Sequence, residues 1–201
     1  MHTRNKLREA KYFLDILPEM QEDADKFDYN LSAFLNAWRS VLDIMLYDFA
    51  ENYALGFSRD VEMNHKEFHA VASALTNHEA VRFIRWWRKK QGELNNSPLW
   101  EKRIINFHRG PLTMVQTYDI YVSGSGGTSG TLSPHVQSET LPVGSSLGSL
   151  VPQGTAPFTQ ERPEYRFSDF SDVSVIDMCR TACAELEKIV VEAETSFNVR
   201  L

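Results

Sequence analysis

The spacing of apolar residues predicts helices along most of this chain. Leu7, Ala10, Phe13, Leu14 and Leu17 recur at steps of three and four, an amphipathic helix from Asn5 to about Asp25 that Pro18 interrupts or bends. Leu31, Phe34, Leu35, Trp38, Leu42, Met45, Leu46 and Phe49 form a broad apolar stripe, the pattern of a central core helix. A third helical pattern covers Asn64 to Leu75. Thr76-Asn77-His78-Glu79 then has the spacing of a capping box with Thr as the cap. It opens a helix through Val81, Ile84 and Trp87 to about Gln91, with Gly92 as its stop. Ser97-Pro98 supplies a cap and a first helical position for a helix over Leu99 to His108, ended by Gly110-Pro111. Thr113 to Val122 is rich in Thr, Val, Tyr and Ile and reads as an extended segment or short strand. Phe170 to Phe197 carries Val173, Ile176, Cys179, Cys183, Leu186, Ile189, Val190 and Ala193 at helical spacing. The expected fold is all-α: an up-and-down helical bundle of five to six helices, with a long irregular loop before the last helix.

Composition adds a domain count. The 201 residues are 42% hydrophobic and 24% charged, which suits one globular domain over 1–201 with a real core. The averages conceal a bias between Ser123 and Pro157, where seven of the ten glycines and four of the eight prolines lie and Glu139 is the one charged residue. Such a stretch has little to bury and a high ordering entropy, so residues 123–157 read as a flexible Gly/Ser/Pro-rich insertion within the domain. No run approaches the roughly 18 uncharged apolar residues of a membrane span. The N-terminus leads into an amphipathic segment, so no signal peptide is expected, and the two cysteines suit a reducing cytoplasm.

Charge changes the picture more. The chain carries a net −6, yet residues 80–110 hold eight basic side chains against Glu93 and Glu101, +6 in 31 residues, leaving −12 on the remainder. A basic face on an acidic protein is a candidate surface for a polyanion. Arg82, Arg85 and Lys89 recur at helical steps, and Trp86 or Trp87 would offer a stacking face of the kind single-stranded nucleic acid uses. The alternative is a solvated charged face with a tryptophan in the core.

Within that stretch lies Arg103-Ile104-Ile105-Asn106-Phe107-His108. Cleaving a phosphodiester needs a group that moves protons near neutral pH, which His supplies, and a permanent cation on the phosphate, which Arg supplies through bidentate contacts. RNA brings its own nucleophile in the 2′-hydroxyl, so the pair suffices without a metal or any cofactor. Read without chemistry, Arg103 is a salt-bridge partner and His108 a helix-end cation. His65 and His69 stand one turn apart with neither the glutamate placement of a metalloprotease motif nor an evident third ligand, so no metal site is expected. Cys179 and Cys183 lie on the apolar stripe of the last helix and read as core.

The Arg-x4-His motif late in a helical bundle resembles the signature of the HEPN superfamily. Lys11-Tyr12-Phe13-Leu14, the segment Asn30 to Asp43, His108-Arg109-Gly110-Pro111 and the closing amphipathic helix are similar to bacterial HEPN-like proteins. The resemblance implies a homodimer that brings two motifs to one cleft and, in active members, a metal-independent endoribonuclease. On that reading Arg103 orients and neutralises the scissile phosphate and His108 transfers protons; from the basic stretch itself, Arg82, Arg85, Lys89, Lys102, Asn106 and Arg109 are the residues expected to bind the nucleic acid. This chain has Ile104 where active members often carry a polar residue, and Asn106 two places later. RNA is therefore the expected ligand. The competing expectation is a non-catalytic dimeric interaction module, or one half of a toxin–antitoxin or defence system with a cognate antitoxin-type protein. Neither involves a membrane.

Overall fold

The computed structural model describes residues 2–57, 63–102, 114–122, 135–142, 158–160 and 164–201. Its body is the expected helical bundle. Helix α1 (Thr3–Ile16) buries Leu7, Ala10 and Leu14 on one face. Its N-terminal amides are satisfied from another helix: the buried Asp48 carboxylate accepts from Thr3 N at 2.8 Å, Thr3 Oγ1 at 2.6 Å and His2 N at 3.1 Å. Pro18 closes the helix into a short 3₁₀ turn, Leu17–Met20. Asp23 then caps α2 (Ala24–Asn52), accepting from Lys26 N at 3.1 Å.

Helix α2 is the axis of the core. Phe27, Leu31, Phe34, Leu35, Trp38, Leu42, Met45 and Phe49 are buried along it, as the broad stripe predicts. Two tryptophans fix its neighbours. Trp38 Nε1 donates to the Ala182 carbonyl of the last helix at 3.2 Å, and Trp87 Nε1 donates to the Leu42 carbonyl at 2.9 Å. Each satisfies an indole N–H inside an apolar core, where an unpaired donor costs about 1–3 kcal/mol.

Helices α3 (His65–Ala74) and α4 (His78–Asn95) form a tight hairpin. The capping box lies at the start of α3: Asn64 Oδ1 accepts from Lys66 N and Glu67 N, and Glu67 reaches back to Asn64 N. It is absent from Thr76. That residue sits at φ +53° and closes α3, its N–H going to Ser73 O while Asn77 N–H goes to Ala72 O. The cap of α4 is therefore Asn77, one residue later than the sequence spacing predicts, accepting from Ala80 N at 3.0 Å. Ser97 precedes α5 (residues 98–102), which is held by buried Leu99 and by Trp100, edge-on to Trp38 and covered by the Arg39 guanidinium at 4.5 Å. The rest of the expected helix to His108 lies outside the described residues.

A five-stranded antiparallel sheet joins the bundle before its last helix. Strand β1 (Met114–Val122) matches the predicted extended segment and pairs with β2 (His135–Pro142) on one side. On the other side lie β3 (Phe158–Gln160) and, end to end with it, β4 (Glu164–Phe167), which in turn pairs with β5 (Phe170–Ser174). Part of the stretch read as a flexible insertion is thus strand; the remainder, 123–134 and 143–157, lies outside the described residues. Tyr165 and Phe167 of β4 are buried, and Tyr165 stacks on Phe27 of α2 with ring centroids 4.0 Å apart. The final helix α6 (Val175–Phe197) begins five residues later than its apolar spacing predicts, because Phe170 to Ser174 pairs with β4; Val173 is exposed on β5. Cys179 and Cys183 are buried free thiols, and burial raises the pKa of both.

Candidate nucleic-acid interface

The local sequence sorts α4 into faces. Ala80, Phe83, Ile84, Trp87 and Leu94 are buried against the core, which leaves the cations on the other sides. Those beside α6 are engaged. Arg82 pairs with Glu79 at 2.6 Å, donates to Ser196 O at 3.0 Å and lies over the Phe197 ring. Lys90 pairs with Glu192 at 2.8 Å, and the bond raises its pKa while holding the Glu192 carboxyl below the usual range. Trp86 Nε1 donates to the same Glu192 at 2.7 Å. Neither tryptophan forms the expected stacking face: Trp87 is core, and Trp86 is half-buried against Phe197 at 5.6 Å.

The outer face is different. Arg85 and Arg88 are exposed and have no ion-pair partner among the described residues, and Lys89 meets only Glu93, at 4.0 Å. At that distance and exposure an ion pair contributes little and does not neutralise the site for a ligand.

Lys102 corrects its assignment to the nucleic-acid surface. Its side chain is 6% exposed, and its ammonium is paired with both carboxylate oxygens of Asp169 in the β4–β5 turn, 5.2 and 5.3 Å from the Phe167 and Phe170 ring centroids. The hydrogen bond from Lys102 holds the Asp169 carboxyl below its ordinary range. A cation so enclosed joins α5 to the sheet and is spent on the fold. Arg103, Asn106, His108 and Arg109 lie outside the described residues.

One group that the sequence suggests only as half of a metal pair, His65, joins the outer face. His65 opens α3 with its ring 6.1 Å from that of Trp87, and partial burial, Arg88 and Lys66 all lower its pKa. The signal for this neighbourhood was present in the chain: a hairpin turning between Thr76 and Asn77 brings residue 65, eleven before Thr76, beside residue 88, eleven after Asn77. Among the described residues no cluster of three His, Cys, Asp or Glu completes a metal site with His65 and His69. A separate cleft of about 480 Å³, lined by His2, Asp48, Glu51, Asn52 and Arg200, has its Asp48 carboxylate committed to the α1 amides. Comparison of the chain with family models, with curated proteins and with solved structures finds no match.

Proposed function

We propose that this chain is a HEPN-like, homodimeric RNA-binding protein that cleaves RNA without a metal, through Arg103 and His108. The observation that supports it is the row of exposed cations Arg85, Arg88 and Lys89 on α4, beside Arg82, Lys90 and Lys102, which are engaged by other groups of the protein. Phosphates bind such a row by releasing counterions, without base contacts. In the proposed reaction the RNA 2′-oxygen attacks the adjacent phosphorus and the 5′-oxygen leaves. His108 transfers the proton between these oxygens, and Arg103 stabilises the charge on the phosphoryl group. The products are a 2′,3′-cyclic phosphate and a 5′-hydroxyl.

Incubation with end-labelled RNA in a chelator is the test. Cleavage is expected in the wild type, with a loss of about 10²-fold or more in His108→Ala and Arg103→Ala. No cleavage by the wild type, or equal cleavage by both variants, overturns catalysis. The second reading, a non-catalytic dimeric module or toxin–antitoxin component, is favoured by the contacts that Arg82, Lys90 and Lys102 make within the protein, which engage half of the basic stretch's described cations.

A further inference from the structure

We infer that the phosphate-binding surface extends from α4 onto α3, with Lys66, Arg88 and the His65 imidazole forming its second half and His65 making its affinity depend on pH. The inference rests on the RNA-binding reading above and specifies its site. The hairpin turn sets α3 antiparallel to α4, so the first turn of α3 lies beside the middle of α4, around Trp87 and Arg88. Lys66 and Arg88 are both exposed, and neither has an ion-pair partner among the described residues. The acids of the hairpin are occupied elsewhere: Glu67 at the Asn64 amide, Glu79 with Arg82, and Glu93 with Lys89 and Lys90. Asn64 already takes the Lys66 and Glu67 amides, so the side chains, and not the helix terminus, must hold the anion.

His65 is the titrating member. The described charged groups that act on it are Arg88 of α4 and Lys66 of its own helix, both cations, and its ring is set over Trp87. Partial burial, and with it the two cations beside the ring, disfavour its proton in the free protein. A phosphate between them reverses that field, so binding takes up a proton and tightens as pH falls through the range where imidazole titrates. With Trp86 and Trp87 both turned to the protein, neither α4 tryptophan is offered for base stacking, and the ligand recognised is the sugar–phosphate backbone of RNA.

The test reads binding apart from cleavage, with a fluorescent 2′-O-methyl RNA that lacks the nucleophile. Wild-type affinity is expected to rise by at least about threefold from pH 7.5 to pH 5.5. His65→Gln should lose most of that rise while His69→Gln keeps it. Lys66→Ala and Arg88→Ala should each reduce the slope of log affinity against log salt by about 0.7, the share of one phosphate contact on a single strand. If the wild type does not bind, the RNA reading and this inference both fail. If Arg85→Glu and Lys89→Glu abolish binding but the His65, Lys66 and Arg88 variants behave as wild type, only the extension onto α3 is overturned. Circular dichroism of each variant separates lost binding from lost folding, and His65→Lys, which fixes the charge, should bind at pH 7.5 as the wild type does at pH 5.5.

Discussion

Thr76 holds a backbone conformation that its side chain disfavours. At φ +53° a β-branched residue crowds its own carbonyl, where a glycine would not, yet the position is needed to end α3 and start α4 with three residues between them. Ala54, at φ +52°, ends α2 in the same way, with Leu55 N–H going to Ala50 O. Thr76→Gly relieves the crowding at an exposed site without losing a buried contact, and should raise stability by about 0.5–1 kcal/mol. Urea unfolding with an unchanged slope and a higher midpoint would establish this; a lower midpoint would mean that the unfolded chain gains more entropy from the glycine than the native turn gains in relief. The same residue explains why the sequence spacing places the cap of α4 one position early. Thr and Asn are both good caps, and spacing to Glu79 favours Thr76, but a residue already closing the previous helix has no extended backbone with which to cap the next.

Elements whose partners lie within themselves were legible, and those defined by distant partners were not. Helix α2 announces itself because each turn contributes to one wide stripe. Strand β2 does not, because its Ser, Thr and Gln composition has no segregated face and its order comes from pairing with β1. Phe170 to Ser174 reads as helix because Val173 and Ile176 happen to keep helical phase, although β4 claims the segment as a strand. The candidate site follows the same rule. That Arg85 and Lys89 stand on an outer face follows from spacing; that Lys102 is enclosed depends on Asp169, 67 residues away in sequence. Removing that partner is informative. Asp169→Ala strands a buried ammonium and should cost about 1–3 kcal/mol, whereas Lys102→Met, which removes the charge and keeps the chain packed on Phe167 and Phe170, should be nearly neutral. Because the Asp169 carboxyl is held below its usual value near 3.8, its contribution is complete above that pH and is lost as pH falls through its lowered folded value. Thermal melts at pH 7 and pH 3 check both: the difference between the wild type and Asp169→Ala should shrink at the lower pH.

At the scale of the whole molecule, the acidic average and the basic face act on a polyanion at different ranges. The −12 outside residues 80–110 repels RNA at a distance, but at physiological salt the Debye length is about 8 Å, so most of that repulsion is screened before contact. What survives screening is the local exchange of counterions for Lys66, Arg85, Arg88 and Lys89. Four contacts on a single strand give a slope of log affinity against log salt of about −3. Lowering the salt further should not increase affinity without limit, since the acidic remainder becomes effective as the Debye length grows, and the plot should flatten below about 0.05 M. The double variant Arg85→Glu/Lys89→Glu removes two contacts from a fully exposed face and should lower the slope by about 1.4 while leaving the melting temperature close to that of the wild type. Two Glu→Lys substitutions among the acidic residues outside 80–110 alter net charge equally and in the opposite sense, yet should move only the low-salt plateau. Equal and opposite effects from the two substitutions at 0.15 M salt would mean that total charge, and not the α3–α4 face, governs binding.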